Sequence, residues 1–415
     1  MLDLFIDNLN LEHLYIMNSV KYNILFLYDG VINPLRGGVE SVTYELSNYF
    51  TSKGHKCYYL SKKKVNDIGD SKQYFLPSES NFLNADNKAY LINFIKEKKI
   101  AILINQQGFD KDCCKFAYLV KDYGVKLISC IHNPLIDKVR NFEVVFYNRF
   151  KKYNLQFLLK ITKNSFVKNI LYSIYWFKYQ KHFKRLHKYS DSVILLSDSF
   201  RKDLSFFIGK LSNKVHTIPN PVPSKINKGE ADIQKEKIVL YVGRICINKR
   251  VDLLLQIWSL VYKKHKDWKL VIVGGEGKEL DSMKKYASVL RLENIVFEGF
   301  QEPMPYYEKA SIFCMTSAIE AFGIVLIEAM NMKVVPIAFE SFSTVKDIID
   351  NNINGVLIQP FDTELYAKEL SKLMTDDKKR QNYCNNAYLK SQHFHMDAIG
   401  SRWFTLFSFL FEENS

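Results

Sequence analysis

The stretch SAIEAFGIVLIEAM (residues 317–330) contains two carboxylates, Glu320 and Glu328, eight positions apart. Ser317 followed three residues later by Glu320 is a capping-box pattern, and the apolar run after Gly323 predicts a helix that opens at this glycine. We therefore expect Glu320 in the turn before the helix and Glu328 inside it. Because the first amides of a helix lack an intrahelical partner, the pattern predicts an anion site flanked by two acceptors for sugar hydroxyls.

Two glutamates at this spacing also arise by chance in a chain of ordinary composition. In that case Glu320 caps the helix and Glu328 is a solvated helix residue, so the rest of the chain has to distinguish the two interpretations. The 415 residues are too many for one core and predict two domains. A content of 47% hydrophobic and 25% charged residues is ordinary for a globular protein, and no apolar run reaches the roughly 18 residues of a membrane span.

Apolar runs of strand length alternate with amphipathic segments along the whole chain, which favours parallel sheets covered by helices on both faces. A segment with three prolines and many charges, 219–237, interrupts this alternation as a linker would. The predicted fold is therefore α/β, with two facing Rossmann-like, doubly wound parallel-sheet domains and a cleft between them. We predict a first domain at 21–221, a second domain at 222–390 and a helix at 391–415 that packs back on the first domain. Residues 1–20 are a candidate N-terminal extension, of which the first sixteen are either a disordered extension or the product of a misplaced start.

Glycine-containing turns follow several of the predicted strands and precede predicted helices. Gly243 and Arg244 close the first strand of the second domain, and Lys249 lies in the turn before the next helix. Glycine lets the backbone approach a ligand, an arginine can bind two phosphate oxygens, and a lysine adds a point charge. Each of these residues alone is more often a solvated strand-end or turn residue. The other such turns are Gly274-Gly275-Glu276-Gly277 and, in the first domain, Gly37-Gly38.

These motifs follow one another in a set order: Gly-Arg and Lys, then Gly-x-Gly, then Glu-x7-Glu with Phe-Gly inside it, all after a proline-broken linker. In this order they resemble the retaining glycosyltransferases of family four, which have the GT-B architecture of two facing Rossmann-like domains. The resemblance extends from Gly37 to the C-terminal tail. It implies a retaining, metal-independent hexosyltransferase that needs no cofactor and takes a nucleoside diphosphate sugar as its donor.

The resemblance also implies roles for individual residues. Arg244 and Lys249 would hold the donor diphosphate and stabilise charge on the departing nucleotide. Glu320 would contact sugar hydroxyls, and Glu328 would bind the ribose. The further donor-binding residues that it implies are Gly37, Gly38, Asn220, Gly243, Gly274, Gly275, Phe322, Gly323, Ile324 and Val325, the last four through backbone amides.

His132 follows a predicted strand of the first domain, where a lone histidine is more often a satisfied structural residue. The resemblance places it beside the donor sugar. A neutral histidine there could donate to a sugar hydroxyl or help the acceptor to lose its proton. One departure from the family pattern also concerns the donor sugar. Residues 339–344 replace a glycine-rich loop, and the contacts of that loop with the donor sugar are therefore not expected here.

Two further patterns concern metals and redox state. Asp110-Lys111-Asp112 precedes a helical segment, and we interpret it as a helix N-cap and not as a metal site. The seven cysteines form no CxxC or other metal-ligand spacing. We therefore expect no bound metal, and reduced, mostly buried thiols of a cytosolic protein.

The net charge of +14 is concentrated in residues 144–190, which contain eleven Lys or Arg, no Asp or Glu, and thirteen aromatic residues. Helical spacing of the aromatics fits a pair of helices packed on the core with solvated lysines. It also fits a surface helix on an anionic membrane, because aromatics settle at the interface and each nearby lysine adds about 1 kcal/mol. Nucleic-acid binding is the third interpretation, although no recognisable nucleic-acid module accompanies the charge.

From the sequence we expect a retaining glycosyltransferase that moves a sugar from a nucleoside diphosphate, with UDP as the expected carrier, to a hydroxyl of a lipid-linked or surface-polysaccharide acceptor such as lipopolysaccharide or capsule. The expected partners are the nucleotide sugar, the acceptor glycan and an anionic membrane surface, without nucleic acid. The expected location is cytoplasmic, peripheral on the inner face of the plasma membrane. The alternatives are a GT-B nucleotide-sugar enzyme of other chemistry, such as an epimerase, and a non-enzymatic polyanion-binding protein.

Overall fold

The computed structural model describes residues 20–34, 37–64, 71–152, 159, 161–162, 164–223 and 234–412. The predicted N-terminal extension, apart from Val20, therefore lies outside the described residues. The centre of the predicted linker, 224–233, lies outside them as well.

The first domain is built on a seven-stranded parallel sheet. Its strands are β1 (Asn23–Tyr28), β2 (Lys56–Ser61), β3 (Gln73–Phe75), β4 (Ile102–Asn105), β5 (Lys126–Ile131), β6 (Ser192–Leu195) and β7 (Val215–Thr217), in the spatial order β3-β2-β1-β4-β5-β6-β7. Phe26 of β1 lies opposite Tyr59 of β2 and Ile104 of β4. Every residue of β4 and of β6 is buried, as expected for parallel strands that are covered on both faces.

Helices follow the strands of this sheet. They are α1 (Gly38–Ser52), α2 (Ala85–Glu97), α3 (Lys111–Ala117), α4 (Asp137–Arg140), α5 (Phe142–Lys152), α6 (Ser165–Tyr189) and α7 (Ser199–Ile208). Asp110 caps α3, because its side chain accepts hydrogen bonds from the amides of Asp112 and Cys113, and this confirms the predicted N-cap.

The basic, aromatic segment forms α5 and α6, separated by residues that are only partly described. One face of α6 packs on the core: His182, Phe183 and Leu186 are buried, and Tyr175 and Tyr179 lie against the same cluster. The core-packing interpretation is thus confirmed for this face of the helix.

The second domain has a six-stranded parallel sheet in the spatial order β10-β9-β8-β11-β12-β13. Its strands are β8 (Ile238–Val242), β9 (Lys269–Val273), β10 (Ile295–Gly299), β11 (Ile312–Met315), β12 (Val335–Phe339) and β13 (Val356–Ile358). Its helices are α8 (Val251–Val261), α9 (Gly277–Val289), α10 (Met304–Lys309), α11 (Ile324–Asn331), α12 (Val345–Ile348), α13 (Thr363–Thr375) and α14 (Asp377–Ser391). Two parallel α/β sheets confirm the predicted fold class, and in each sheet the carboxyl ends of the strands collect at one edge.

The last helix, α15 (Met396–Glu412), packs on the first domain. Trp403 and Phe407 are buried in the cluster that contains Phe26 and Phe50, with the ring centroids of Phe50 and Phe407 5.3 Å apart. The backbone therefore passes between the domains twice. The two passages are tied together where the amide of Val222 donates to the carbonyl of Phe394 at 2.8 Å.

The packing of α15 on α1 leads to a stability prediction at Gly400, which is buried. A Cβ atom at this position would lie 2.0 Å from Cε1 of Tyr49. Gly400→Ala should therefore lower the free energy of unfolding by about 1–3 kcal/mol through overpacking, although alanine is otherwise favoured by about 1 kcal/mol in a helix. Chemical denaturation measures the difference.

The neighbouring exposed residue provides the control, since Ser401→Ala should change the free energy of unfolding by less than about 0.5 kcal/mol. In a Tyr49→Ala background the clash is absent, and Gly400→Ala should then be neutral or stabilising. If Gly400→Ala were as stable as the parent in the presence of Tyr49, this description of the helix contact would be wrong.

Candidate active site

An ion pair lies at the carboxyl edge of the second sheet. Lys249 ends a short 3₁₀ turn, Ile247–Lys249, and its Nζ donates to Oε1 of Glu320. Both side chains are largely buried, with 18% and 10% of their surface exposed. The two loops are also joined through the backbone, since Ala318 N donates to Asn248 O at 2.7 Å. The structure therefore brings together Lys249 and Glu320, which are 71 positions apart in the sequence.

Helix α11 begins immediately beyond this pair. Its N-cap is Gly323, whose φ of +92° is a left-handed conformation that favours glycine. Glu320 lies in the turn before the helix and Glu328 inside it, as predicted, but the capping box is wrong. The side chain of Glu320 pairs with Lys249, and the buried Ser317 accepts a hydrogen bond at its carbonyl from Ser341 Oγ.

No side chain in the described part of the chain caps α11. The amide of Leu326 already donates to Gly323 O at 2.9 Å, so the amides that precede it at this helix start are the ones that can donate to an anion. Phe322 is buried and Ile324 lies against the core of the first domain, so this helix end faces the other domain.

Glu328 is buried, and Tyr307 Oη donates to its Oε2 at 2.9 Å. The interpretation of Glu328 as a solvated helix residue is therefore wrong. Burial raises the pKa of Glu328 to about 7, although the hydrogen bond from Tyr307 acts in the opposite direction. Near neutral pH this carboxyl exists in both protonation states.

The glycine turns after β8 and β9 touch each other. A Cβ atom at Gly274 would lie 2.3 Å from the carbonyl oxygen of Gly243, so only glycine allows this approach. Gly275 has a φ of +80°, and a Cβ there would lie 2.6 Å from the side chain of Ile245. Arg244 is exposed beside these turns. The structure therefore brings Gly243, Arg244, Gly274 and Gly275 to one place on the edge that also carries Lys249.

His132 directly follows β5 in the first domain and is buried. Its Nε2 lies 2.6 Å from Oε1 of Gln106, which can only accept, so Nε2 carries the hydrogen. Burial lowers the pKa of His132 to about 4, and the ring is therefore neutral at physiological pH. Its Nδ1 is buried without a hydrogen-bond partner in the described part of the chain.

His132 and Asn220 line one small cavity, together with Gln106 and Trp403 of α15. The sequence interpretation missed Gln106. Gln106 could have been found from its position at the end of β4. Since β4 and β5 are parallel neighbours, the residues that follow these two strands lie side by side.

Gly37 and Gly38 form the start of α1, with Gly37 as the N-cap. A Cβ atom at Gly37 would lie 2.6 Å from Oε2 of Glu40, whereas a Cβ at Gly38 would meet no described atom within 4 Å. The preceding Leu35-Arg36 lies outside the described residues. At this turn a Cβ atom would therefore come too close to a neighbouring side chain at Gly37 and not at Gly38.

Residues 137–145, which we call the strap, run from the first domain onto the second. Ser343 donates through Oγ to Asp137 Oδ1 at 2.7 Å, and its amide donates to Asp137 Oδ2 at 3.1 Å. Arg140 Nη1 also donates to Ser343 Oγ, at 2.8 Å. Asp203 lies 2.9 Å from the same hydroxyl, and burial raises its pKa to about 6. Ser343 belongs to the segment 339–344 that replaces the glycine-rich loop. This replacement was the only feature of the sequence that pointed to the contact between Ser343 and the strap.

Six of the seven cysteines are buried and all seven are free thiols, which confirms the predicted mostly buried thiols. Among the residues that the structure describes, no three His, Cys, Asp or Glu side chains come together in a way that could hold a metal ion.

The two facing α/β domains define the GT-B class of fold. The solved structure of Anabaena Alr3699/HepE in complex with UDP superposes with a TM-score of 0.69 at 16% identity, over 93% of this chain and 99% of that chain. Two family models match adjoining parts of the sequence: Glycosyltransferase Family 4 over residues 36–225 and Glycosyl transferases group 1 over residues 224–390. The two models together span residues 36–390 and identify the chain as a glycosyltransferase of the GT-B type, with the group 1 model on its second domain.

Curated relatives are similar over most of the chain. An uncharacterized glycosyltransferase of Haemophilus influenzae is 25% identical over 88% of this chain and 95% of its own length. The poly(ribitol-phosphate) alpha-N-acetylglucosaminyltransferase of Staphylococcus aureus is 26% identical over 98% of this chain and 73% of its own length.

The raised pKa of Glu328 leads to a prediction about pH. A carboxyl whose pKa is higher in the folded chain stabilises the fold below its ordinary pKa of 4.5, and this contribution is lost as the pH rises through about 7. Glu328→Gln removes the titration. Between pH 5 and pH 8 the free energy of unfolding of the parent should therefore fall by about 2–3 kcal/mol more than that of Glu328→Gln.

Urea denaturation at several pH values measures this difference without ligand. Glu364→Gln, at an exposed position in the first turn of α13, is the control for the change from a carboxyl to an amide at a site that is not buried. Parallel curves for the parent and Glu328→Gln would contradict the assignment of the raised pKa.

Proposed function

We propose that this protein is a retaining glycosyltransferase that transfers a sugar from a UDP-sugar to a hydroxyl of a lipid-linked or surface-polysaccharide acceptor. The observation that carries the proposal is the buried Lys249–Glu320 pair just before the uncapped start of α11, on the sheet edge that also carries the exposed Arg244. UDP as the carrier is supported by the nucleotide in the Anabaena protein of the same fold. A surface polymer as acceptor is supported by the poly(ribitol-phosphate) in the name of the Staphylococcus relative.

In the proposed reaction the second domain binds the diphosphate. Arg244 and the first amides of α11 meet the phosphate oxygens, and Lys249 stabilises the charge that develops on the departing nucleotide. Glu320 holds Lys249 in place and accepts hydrogen bonds from sugar hydroxyls. Since these groups neutralise the leaving group, the proposal includes no metal ion.

Two further side chains complete the proposed site. Glu328 accepts from the ribose hydroxyls, which favour its ionised form. The neutral ring of His132 lies on the first-domain side, where it can take part in a hydrogen bond to a sugar hydroxyl or accept the proton of the acceptor. The anomeric configuration is retained, as in the family that the motifs resemble.

The first test of the proposal is ligand binding and transfer. UDP and one or more UDP-sugars should raise the melting temperature, because a ligand that binds only the folded chain stabilises it. Release of UDP should then require an added acceptor, which separates transfer from epimerisation. If no nucleotide sugar raised the melting temperature, the proposal would be wrong.

The second test removes the charged groups one at a time. Arg244→Ala, Lys249→Ala and Glu320→Gln should each reduce turnover at least tenfold, because each removes stabilisation of the leaving group or of its lysine. Glu369 and Lys372 form an ion pair at 2.6 Å on α13, away from the site, with 17% and 51% of their side-chain surfaces exposed, and provide the control. Turnover close to that of the parent in all three site variants, with all of them folded, would rule out this mechanism.

The solvent face of α6 supports a peripheral position on an anionic membrane. Four apolar side chains form one line along the helix, with 72%, 44%, 59% and 71% of their surface exposed in chain order, and we call them the apolar stripe: Phe166, Ile170, Ile174 and Phe177. The spacing of 4, 4 and 3 residues places them on one face, opposite the buried face of the same helix. Lys181, Lys184 and Lys188 continue this face and are exposed.

An apolar stripe followed by lysines matches a bilayer surface that has an apolar layer beneath anionic head groups. None of the described helices combines the length and apolar character of a membrane span. From the apolar stripe and the lysines that continue its face we infer a peripheral position at the inner face of the plasma membrane, where nucleotide sugars and reduced thiols are both found.

Vesicle sedimentation tests the membrane proposal. Changing the whole apolar stripe to serine should reduce binding to vesicles that contain phosphatidylglycerol at least threefold, since about 0.8 kcal/mol is lost for each buried CH₂ group. The control changes four exposed apolar residues elsewhere, Leu260, Val289, Val296 and Leu389, to serine. Equal binding by the stripe variant and the control would contradict the membrane position without affecting the proposed chemistry.

A further inference from the structure

The strap lies against the two loops that carry the ion pair. Val144 is buried in a small cluster with Ala318 and Ile319, and Ile247 packs against this cluster. Ile319 directly precedes Glu320, and Ile247 begins the 3₁₀ turn that ends at Lys249. A segment of the first domain therefore packs against apolar side chains of both loops that carry the pair in the second domain.

Asn141 makes the polar contact within this interface. It is buried, and its Nδ2 donates to the carbonyl of Ala318 at 2.6 Å and to the carbonyl of Ser341 at 2.7 Å. The amide of Ala318 donates to Asn248 O at 2.7 Å. Residue 318 is thus bonded to the first domain through its carbonyl and to the lysine turn through its amide, two positions before Glu320.

We propose that Asn141 is a positioning residue, which couples closure of the two domains to the placement of Glu320 against Lys249. The proposal rests on the proposed function in assigning these two side chains to the transfer reaction. When the domains are closed, the amide of Asn141 fixes the loop 317–320. When they are open, the Ala318 and Ser341 carbonyls lose this donor and the loop is held only by contacts within its own domain.

The geometry separates this role from general support of the fold. Buried carbonyls without a donor are costly, so the loop must shift or admit water when the amide is removed. The strap keeps a second anchor, because Asp137 and Arg140 still bind Ser343. A variant at Asn141 should therefore remain folded and docked, with a local change at residues 317–320.

Asn87 offers a matched control. It is also fully buried, and its Nδ2 donates to two backbone carbonyls, Ser78 O at 2.9 Å and Asn81 O at 2.7 Å. These contacts lie within the first domain at the start of α2. Asn87→Ala thus removes the same two donations, together with an acceptor for the amide of Ser78 at 2.9 Å, and none of these described contacts involves the strap or the ion pair.

The experiment compares the full-length parent with Asn141→Ala, Asn141→Asp and Asn87→Ala. For Asn141→Ala we expect kcat to fall at least tenfold while the Kd for UDP changes less than threefold, because in the proposed function the nucleotide is bound by the second domain. Amide hydrogen exchange at residues 316–320 should be faster in Asn141→Ala and unchanged in Asn87→Ala. Asn141→Asp, which keeps the shape but lacks the donor, should behave like Asn141→Ala.

Three results would overturn the proposal: a kcat for Asn141→Ala within twofold of the parent, unchanged exchange at 316–320, or an equal loss of kcat in Asn87→Ala. If the parent itself transfers no sugar, the proposed function fails, and the exchange comparison alone then decides whether Asn141 positions the loop. The two failures are therefore distinguishable.

Discussion

The burial of the Lys249–Glu320 pair is the constraint on which the arrangement of the site depends. Two charges removed from water are tolerated only when their geometry is good and the neighbouring groups are satisfied. Here the backbone supplies that geometry: the lysine turn and the glutamate loop share a hydrogen bond, and the first domain covers both loops with apolar side chains. The burial of the pair therefore depends on both domains, although both of its residues belong to the second one.

The strands, the helices that follow them and the fold class could be predicted because parallel strands buried on both faces appear as continuous apolar runs. The placement of Glu320 before α11 and of Glu328 within it could also be predicted, since a glycine before an apolar run marks a helix start. The capping box could not, because it depends on what else Glu320 and Ser317 contact. Lys249 and Ser341 satisfy those groups, and no local pattern shows that.

The contacts that sequence reasoning missed join residues far apart in the chain. Asn141 reaches carbonyls 177 and 200 positions away, and Tyr307 reaches Glu328 from a different helix. For α6 the core-packing and the membrane-surface interpretations of the basic segment do not exclude each other. A helix of 25 residues presents opposite faces to different surroundings, so aromatics at one phase can pack on the core while Phe166 and Phe177 face outward.

The bond between Val222 and Phe394 holds the two backbone passages between the domains side by side. Because both passages meet at this point, a rotation of one domain about it would leave the two connections between the domains in place. A rotation that separated the domains at the strap would break its hydrogen bonds to Ser343, Ala318 and Ser341 and could leave the Val222–Phe394 bond intact.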